Sequence, residues 1–333
     1  MAVLLYLRCW QSAKIGAVNS GKPFSVSCGT NGVDPLAPML KTHDLTKRYG
    51  SFLALDHANI EVARGECCGV LGPNGAGKST LFRILMGFLR PTHGRAEIGG
   101  KDCQKAKKAV HSLVSYLPGD VRLFGEMKGK QVLDFFADIH PRGSRERSYA
   151  TAKRLELDTS RRVGYMSTGM RQKLGLSIAL ATDAPMLIMD EPTTSLDPNV
   201  RGEVIRMIGQ AHKSGRTVVI CSHVLSEIED ICDRAIIMRQ GKVVHDQCLQ
   251  DLARQHSVVF QLMQPLPRVP EGIRNRVISA RQHGHTVHLE TEGELRDVMG
   301  WITQLPSTEL KVTRMGLREV YDRFHAPVSE HAA

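Results

Sequence analysis

The stretch Glu66-Cys67-Cys68-Gly69-Val70-Leu71-Gly72-Pro73-Asn74-Gly75-Ala76-Gly77-Lys78-Ser79-Thr80 decides the fold, together with Leu81-Phe82-Arg83-Ile84-Leu85-Met86 behind it. Its opening six residues form a short apolar run, read as a buried strand. The closing six space their apolar side chains as a helix does. Between them, Gly72 to Thr80 fits G-x-x-x-x-G-K-[ST]. Gly72, Gly75 and Gly77 let the backbone curl around Pro73, Asn74 and Ala76 so that its N–H groups point inward at phosphate oxygens. The helix starting near Lys78 adds the positive end of its dipole. Lys78 reaches the β and γ phosphates, and Ser79, followed by Thr80, can ligand Mg²⁺.

Two further strands end in chemistry. Met186-Leu187-Ile188-Met189 is apolar and delivers Asp190 and Glu191 to its C-terminal end. Adjacent carboxylates there are costly unless a cation or a reaction uses them. Asp190 is expected to hold Mg²⁺, and Glu191, pointing elsewhere, to polarise water as a general base. Read alone, the pair has a lesser alternative, a solvated strand end, which the phosphate loop makes weaker still. Thr217–Cys221 is the next such strand and ends in Ser222-His223. An imidazole there can steady a γ phosphate and the attacking water, although a lone histidine at a strand end is more often structural.

Outward from these strands, residues 40–62 alternate as half-buried strands do, and Gln240-Gly241 marks a hairpin. Residues 126–165 are expected to be helical, with Val132, Leu133, Phe136 and Ile139 on one face and a second, charged helix around 144–156, and inserted helices over 126–180 to form a lobe of their own. After about residue 249 the pattern changes to short strands and two helices, an accessory α+β domain. His283, His285 and His288 lie close in sequence there, but Gly284 favours a hairpin turn over a metal site. Residues 1–39 carry no helical or strand period up to Met39, a candidate translation start, and read as a loosely ordered extension.

Composition narrows the class. At 42% hydrophobic and 23% charged the chain is neither disordered nor collagen-like. No stretch approaches the roughly 18 apolar residues of a membrane helix. A net charge of +10 favours polyanions, whether nucleotides, nucleic acid or an acidic leaflet. Eight cysteines without C-x-x-C spacing read as small buried hydrophobes in a reducing cytosol.

With Met166-Ser167-Thr168-Gly169-Met170-Arg171-Gln172 added ahead of a helix, residues 40–248 resemble the nucleotide-binding subunit of an ATP-binding-cassette (ABC) transporter. In the order of that family stand Tyr49, Gly72–Thr80, residues 116–120, Met166–Met170, Asp190-Glu191, Ser195-Leu196-Asp197 and His223. The resemblance implies an α/β fold: a P-loop NTPase core with a mainly parallel sheet, an antiparallel β portion and an inserted helical lobe at about 120–180. It implies ATP and Mg²⁺ as cofactors and a head-to-tail homodimer that sandwiches two nucleotides. Tyr49 would stack on adenine, unless it is a surface aromatic beside a turn. Ser167 and Gly169 would bind the γ phosphate held by the other subunit, with Asp197 contributing to the nucleotide site; an ordinary helix cap at Ser167 has the same local geometry.

Two departures stand out. Thr168 and Met170 replace residues of the usual signature, and Gly119, in Tyr116-Leu117-Pro118-Gly119-Asp120, stands where the family places glutamine. The wording is similar to ATPases of ABC-2-type exporters, including drug-resistance and sodium-efflux systems. That implies an integral membrane permease as partner, a place on the cytoplasmic face of the membrane, and no stable nucleic-acid partner. The alternatives are an ABC ATPase acting on nucleic acid or ribosomes, and a weakly hydrolysing ATP-switched module.

Overall fold

The computed structural model describes residues 37–325; most of the expected extension at 1–39 lies outside the described residues. The phosphate-loop strand, Cys67–Leu71, lies inside a six-stranded sheet. Its order is Lys242–Cys248, Arg234–Arg239, Cys67–Leu71, Thr217–Cys221, Met186–Asp190, Val114–Leu117. The pairings from Arg234–Arg239 to Val114–Leu117 are all parallel. Every residue of Cys67–Leu71, Met186–Asp190 and Thr217–Cys221 is buried, which explains their unbroken apolar runs: a parallel sheet is covered on both faces. Register does the rest. Val70 and Asp190 both pair with Cys221, and Leu117 pairs with Met189, so four C-terminal strand ends share one edge. That edge is where open α/β sheets bind ligands.

A second, antiparallel sheet is centred on Leu40–Tyr49, which pairs with Phe52–Ala58, Glu61–Val62 and His93–Ile98. Leu40, Leu45, Leu55 and Ile98 from this sheet share one core with Val70, Ile188 and Ile236 of the parallel sheet and Phe82 of helix Lys78–Leu85. Gln240 and Gly241 both have positive φ, 50° and 81°, as a two-residue hairpin turn between twisted strands requires.

The segment 126–165 holds helix Gly129–Ile139 and the charged helix Arg145–Arg154, but beyond them only one short turn, at Val163–Tyr165. Pro141-Arg142-Gly143 interrupts the run, because proline cannot continue the ladder of the preceding helix. Ser144 then restarts it, its side chain accepting from Arg147 N. With helix Thr168–Ala181 these form a lobe with its own core of Val132, Leu133, Leu157, Met166 and Leu174. Helix Lys107–Leu113 and strand Val114–Leu117 have no counterpart in the sequence reading; four residues are too few to show a period.

The described chain divides into two compact units between Asp246 and Gln247. The second is an antiparallel sheet in the order Val277–His283, Thr286–Glu292, Gln255–Leu262, Ser307–Arg314, over a core that includes Phe260, Leu289 and Trp301. His283 pairs with Thr286 across a turn in which Gly284 has φ +60°, so the local histidines belong to a hairpin. No helix among the described residues is long and apolar enough to cross a membrane.

Candidate active site

Two of the loop glycines are dictated by close approach. A Cβ at Gly72 would stand 2.4 Å from Met238 O, and one at Gly77 2.5 Å from Ala54 O. Both glycines also have positive φ, 153° and 105°. Gly77 leads directly into helix Lys78–Leu85 without a side-chain cap, so the amides of Lys78, Ser79 and Thr80 lack intrahelical acceptors. The Lys78 ammonium is buried and donates to the carbonyls of Gly72 at 2.6 Å and Pro73 at 3.1 Å. A cleft of about 220 Å³ over this loop is lined by Asn74 to Thr80, Phe52, Ala54, Asp190 and Glu191. An adjoining one of about 550 Å³ is bordered by Tyr49, Ser79, Gly119, Asp120 and Asp190.

Ser79 Oγ donates to Asp190 Oδ2 at 3.0 Å, which brings together the two groups read as Mg²⁺ ligands. Burial raises the Asp190 carboxyl above its ordinary range; hydrogen bonds from Ser79 and Cys221 oppose it, Glu191 adds to it, and Lys78 opposes it. A buried carboxyl whose ionised form is disfavoured, beside a serine hydroxyl and an open cleft, fits a hard cation that also binds phosphate oxygens. Such a site needs no three-acid cluster, and none exists among the described residues.

Glu191 leaves the strand in the left-handed region, φ 53°, so its side chain turns away from that of Asp190. Its amide donates to Cys221 O at 2.9 Å, and its Oε2 meets His223 Nδ1 at 2.6 Å. Gly119 lies beside Asp190, a Cβ there standing 3.3 Å from Asp190 Cγ and Oδ2. Asp120, next in sequence, is exposed and paired with Arg122 at 2.7 Å.

Ser167 is the N-cap of helix Thr168–Ala181, its Oγ accepting from Met170 N at 3.2 Å. Asp197 likewise caps helix Pro198–Lys213 through Val200 N at 3.1 Å. At Gly169 a Cβ would meet Ser195 O at 2.6 Å, so the signature turn lies directly on the Ser195-Leu196-Asp197 segment. Tyr49 is exposed, with Lys47 Nζ 5.1 Å from its ring centroid, and it pairs across the turn with Phe52.

Three residues to which the sequence assigns no role of their own belong to this neighbourhood. Phe52 is the aromatic that faces the loop cleft itself; its signal was there, as a second aromatic beside Gly50. Gln172, buried, donates to the carbonyls of Glu191 at 3.2 Å and Pro192 at 3.0 Å. Glu227, buried, accepts from Ser222 and Thr193. Nothing in helical spacing separates these two from solvated polar residues.

A family model described as "ABC transporter" matches residues 55–194. The daunorubicin resistance ATP-binding protein DrrA3 of Streptomyces coeruleorubidus is 39% identical, over 62% of this chain and 67% of its own length. The bacitracin transport ATP-binding protein BcrA of Bacillus licheniformis is 36% identical, over 68% of this chain and 76% of its own. A solved ATP-binding subunit of an ABC transporter superposes with a TM-score of 0.59 at 26% identity, covering 65% of this chain and 92% of that one.

Proposed function

This chain belongs to the ABC transporter family of ATP-binding proteins, and on that premise we propose that it binds and hydrolyses ATP to energise export through a separate integral membrane permease. The observation that carries the hydrolytic part is the convergence of Lys78, Ser79, Asp190, Glu191 and His223 at one edge of the parallel sheet, with Ser79 3.0 Å from Asp190 and His223 2.6 Å from Glu191. Export rests on the relatives, whose names are those of drug-resistance and bacitracin-transport subunits. The same names disfavour an ATPase acting on nucleic acid.

The loop amides and the Lys78 ammonium bind the phosphates, the ammonium leaving the Gly72 and Pro73 carbonyls to do so. Ser79 and Asp190 would hold Mg²⁺, which when bound neutralises charge between the β and γ phosphates. Glu191 takes the proton of the attacking water, and His223 holds Glu191 and the γ phosphate in line. Aromatic rings at Tyr49 and Phe52 offer faces to the adenine. Ser167, exposed at a helix start, and the half-buried Gly169 reach the nucleotide of a second copy arranged head to tail.

The test is co-purification. The tagged chain is expected to bring down a protein with several membrane spans and, with it in detergent or lipid, to hydrolyse ATP faster than alone. Salt-sensitive recovery of RNA or DNA in its place would support the nucleic-acid reading and overturn this one.

A further inference from the structure

Glu227 is 4% exposed, on helix Leu225–Ile231, and takes no direct part in the chemistry above. Burying an acid is costly unless hydrogen bonds offset it. Its Oε2 accepts from Ser222 Oγ at 2.7 Å and from Thr193 Oγ1 at 3.0 Å, and both hydroxyl residues are themselves buried. Its Oε1 has no hydrogen-bond partner among the described residues; Arg201 Nε stands 3.8 Å off, beyond hydrogen-bond reach.

The two donors are what give this acid meaning. Ser222 immediately precedes His223, and Thr193 follows Glu191 by two positions. Those two segments are the ones whose side chains meet at 2.6 Å. One carboxyl oxygen therefore ties the backbone on either side of the His223–Glu191 contact. Ser222 Oγ also accepts from Val224 N at 3.0 Å, fixing the chain just after His223. On the far side, Gln172 grips the Glu191 and Pro192 carbonyls, so the left-handed turn at Glu191 is held from two directions. A purely architectural need at this spot would be met as well by a well-packed apolar side chain, without the desolvation cost.

We propose that Glu227 is a positioning residue for ATP hydrolysis, its bridge through Ser222 and Thr193 setting the spacing between His223 and Glu191. The inference rests on the reading of Glu191 and His223 as the hydrolytic pair.

The experiment uses the full chain, with phosphate release giving kcat and KM and a fluorescent ATP analogue giving equilibrium affinity. Glu227→Ala is expected to lower kcat by about 10- to 100-fold, the scale of a misplaced catalytic group, with analogue affinity held within about twofold. Glu227→Gln, which keeps an acceptor oxygen, should recover most of the loss. Thr193→Val keeps the shape of the side chain and deletes the hydroxyl. It should lower kcat in the same direction and add nothing to Glu227→Ala, and it decides the matter alone if Glu227→Ala does not fold. Wild-type-like kcat in Thr193→Val and Glu227→Ala overturns the proposal. So does a parallel loss of kcat and analogue affinity. Glu191→Gln serves as the separate control: if it turns over like the parent, the underlying assignment fails, whatever Glu227 does.

Discussion

At the scale of single residues, the sharpest division is between the two adjacent acids. Asp190 stays in the strand, buried against Ser79, whereas Glu191 turns through φ 53° to His223. Glu191→Gln keeps the shape and removes the base. ATP should still bind, while phosphate release falls by at least the ~10²-fold typical of a lost general base, and a nucleotide-bound dimer should persist on size exclusion. Asp120 gives the opposite expectation. Its carboxylate is exposed and already paired with Arg122, so Asp120→Ala should change basal turnover by less than about threefold, well under the cost of a lost base. Abolished phosphate release in the purified subunit would place Asp120 in the hydrolytic machinery instead. The phosphate loop, both acids and His223 were legible in the sequence because fixed spacing and strand ends announce them. The roles of Gln172 and Glu227 were not. They depend on which carbonyls and hydroxyls lie opposite, and only the packed sheet edge brings those within 3.2 Å.

Elements were read well where the period was long or the run wholly apolar, as at Met186–Asp190 and Thr217–Cys221. They were read poorly at the other sheet edge, where Val114–Leu117 is recognisable only by its pairing with Met186–Asp190. Helix Lys107–Leu113 is pinned beside that strand by two buried histidines. His111 Nε2 meets Met86 O at 2.9 Å and His140 Nε2 meets His111 O at 3.1 Å, so each Nε2–H donates to a carbonyl. His140 Nδ1 accepts from Arg142 N at 3.1 Å, which only an unprotonated Nδ1 can do. Burial lowers both imidazoles below their ordinary 6.5, the carbonyl contacts opposing it in part. Below that value the unfolded chain binds protons that the folded chain refuses. Their stabilisation is therefore complete above about pH 6.5 and is lost as the pH falls below it. The melting temperature is expected to drop between pH 7.5 and pH 5.5, approximate bounds on either side of that midpoint. His140→Asn, whose Oδ1 accepts from Arg142 N without titrating, should melt lower at neutral pH but show a shallower dependence. An unchanged slope in His140→Asn would remove His140 from the account.

At the scale of the whole molecule, one chain offers two unlike halves of a site: the loop with Glu191 and His223 at the sheet edge, and Ser167 at a helix start resting on Ser195. If the halves of different copies complete each other, a mixture of Lys78→Ala and Ser167→Arg chains retains a site with both halves intact, and neither parent does. Phosphate release from the mixture alone is the expected result; activity in the Ser167→Arg homodimer would refute the arrangement. The loop has one more consequence, which follows from its two crowded glycines. Gly72 leans on Met238 O and Gly77 on Ala54 O, while Gly241 N donates to Ala76 O and Asp56 N to Gly241 O. Phosphate binding at Gly72–Thr80 therefore stiffens a knot that joins strands from both sheets. In deuterium-exchange mass spectrometry, nucleotide should slow labelling of peptides around Ala54–Asp56 and Met238–Gly241 as well as the loop itself. Slowing confined to the loop peptide would mean that the two sheets breathe independently of their shared hinge.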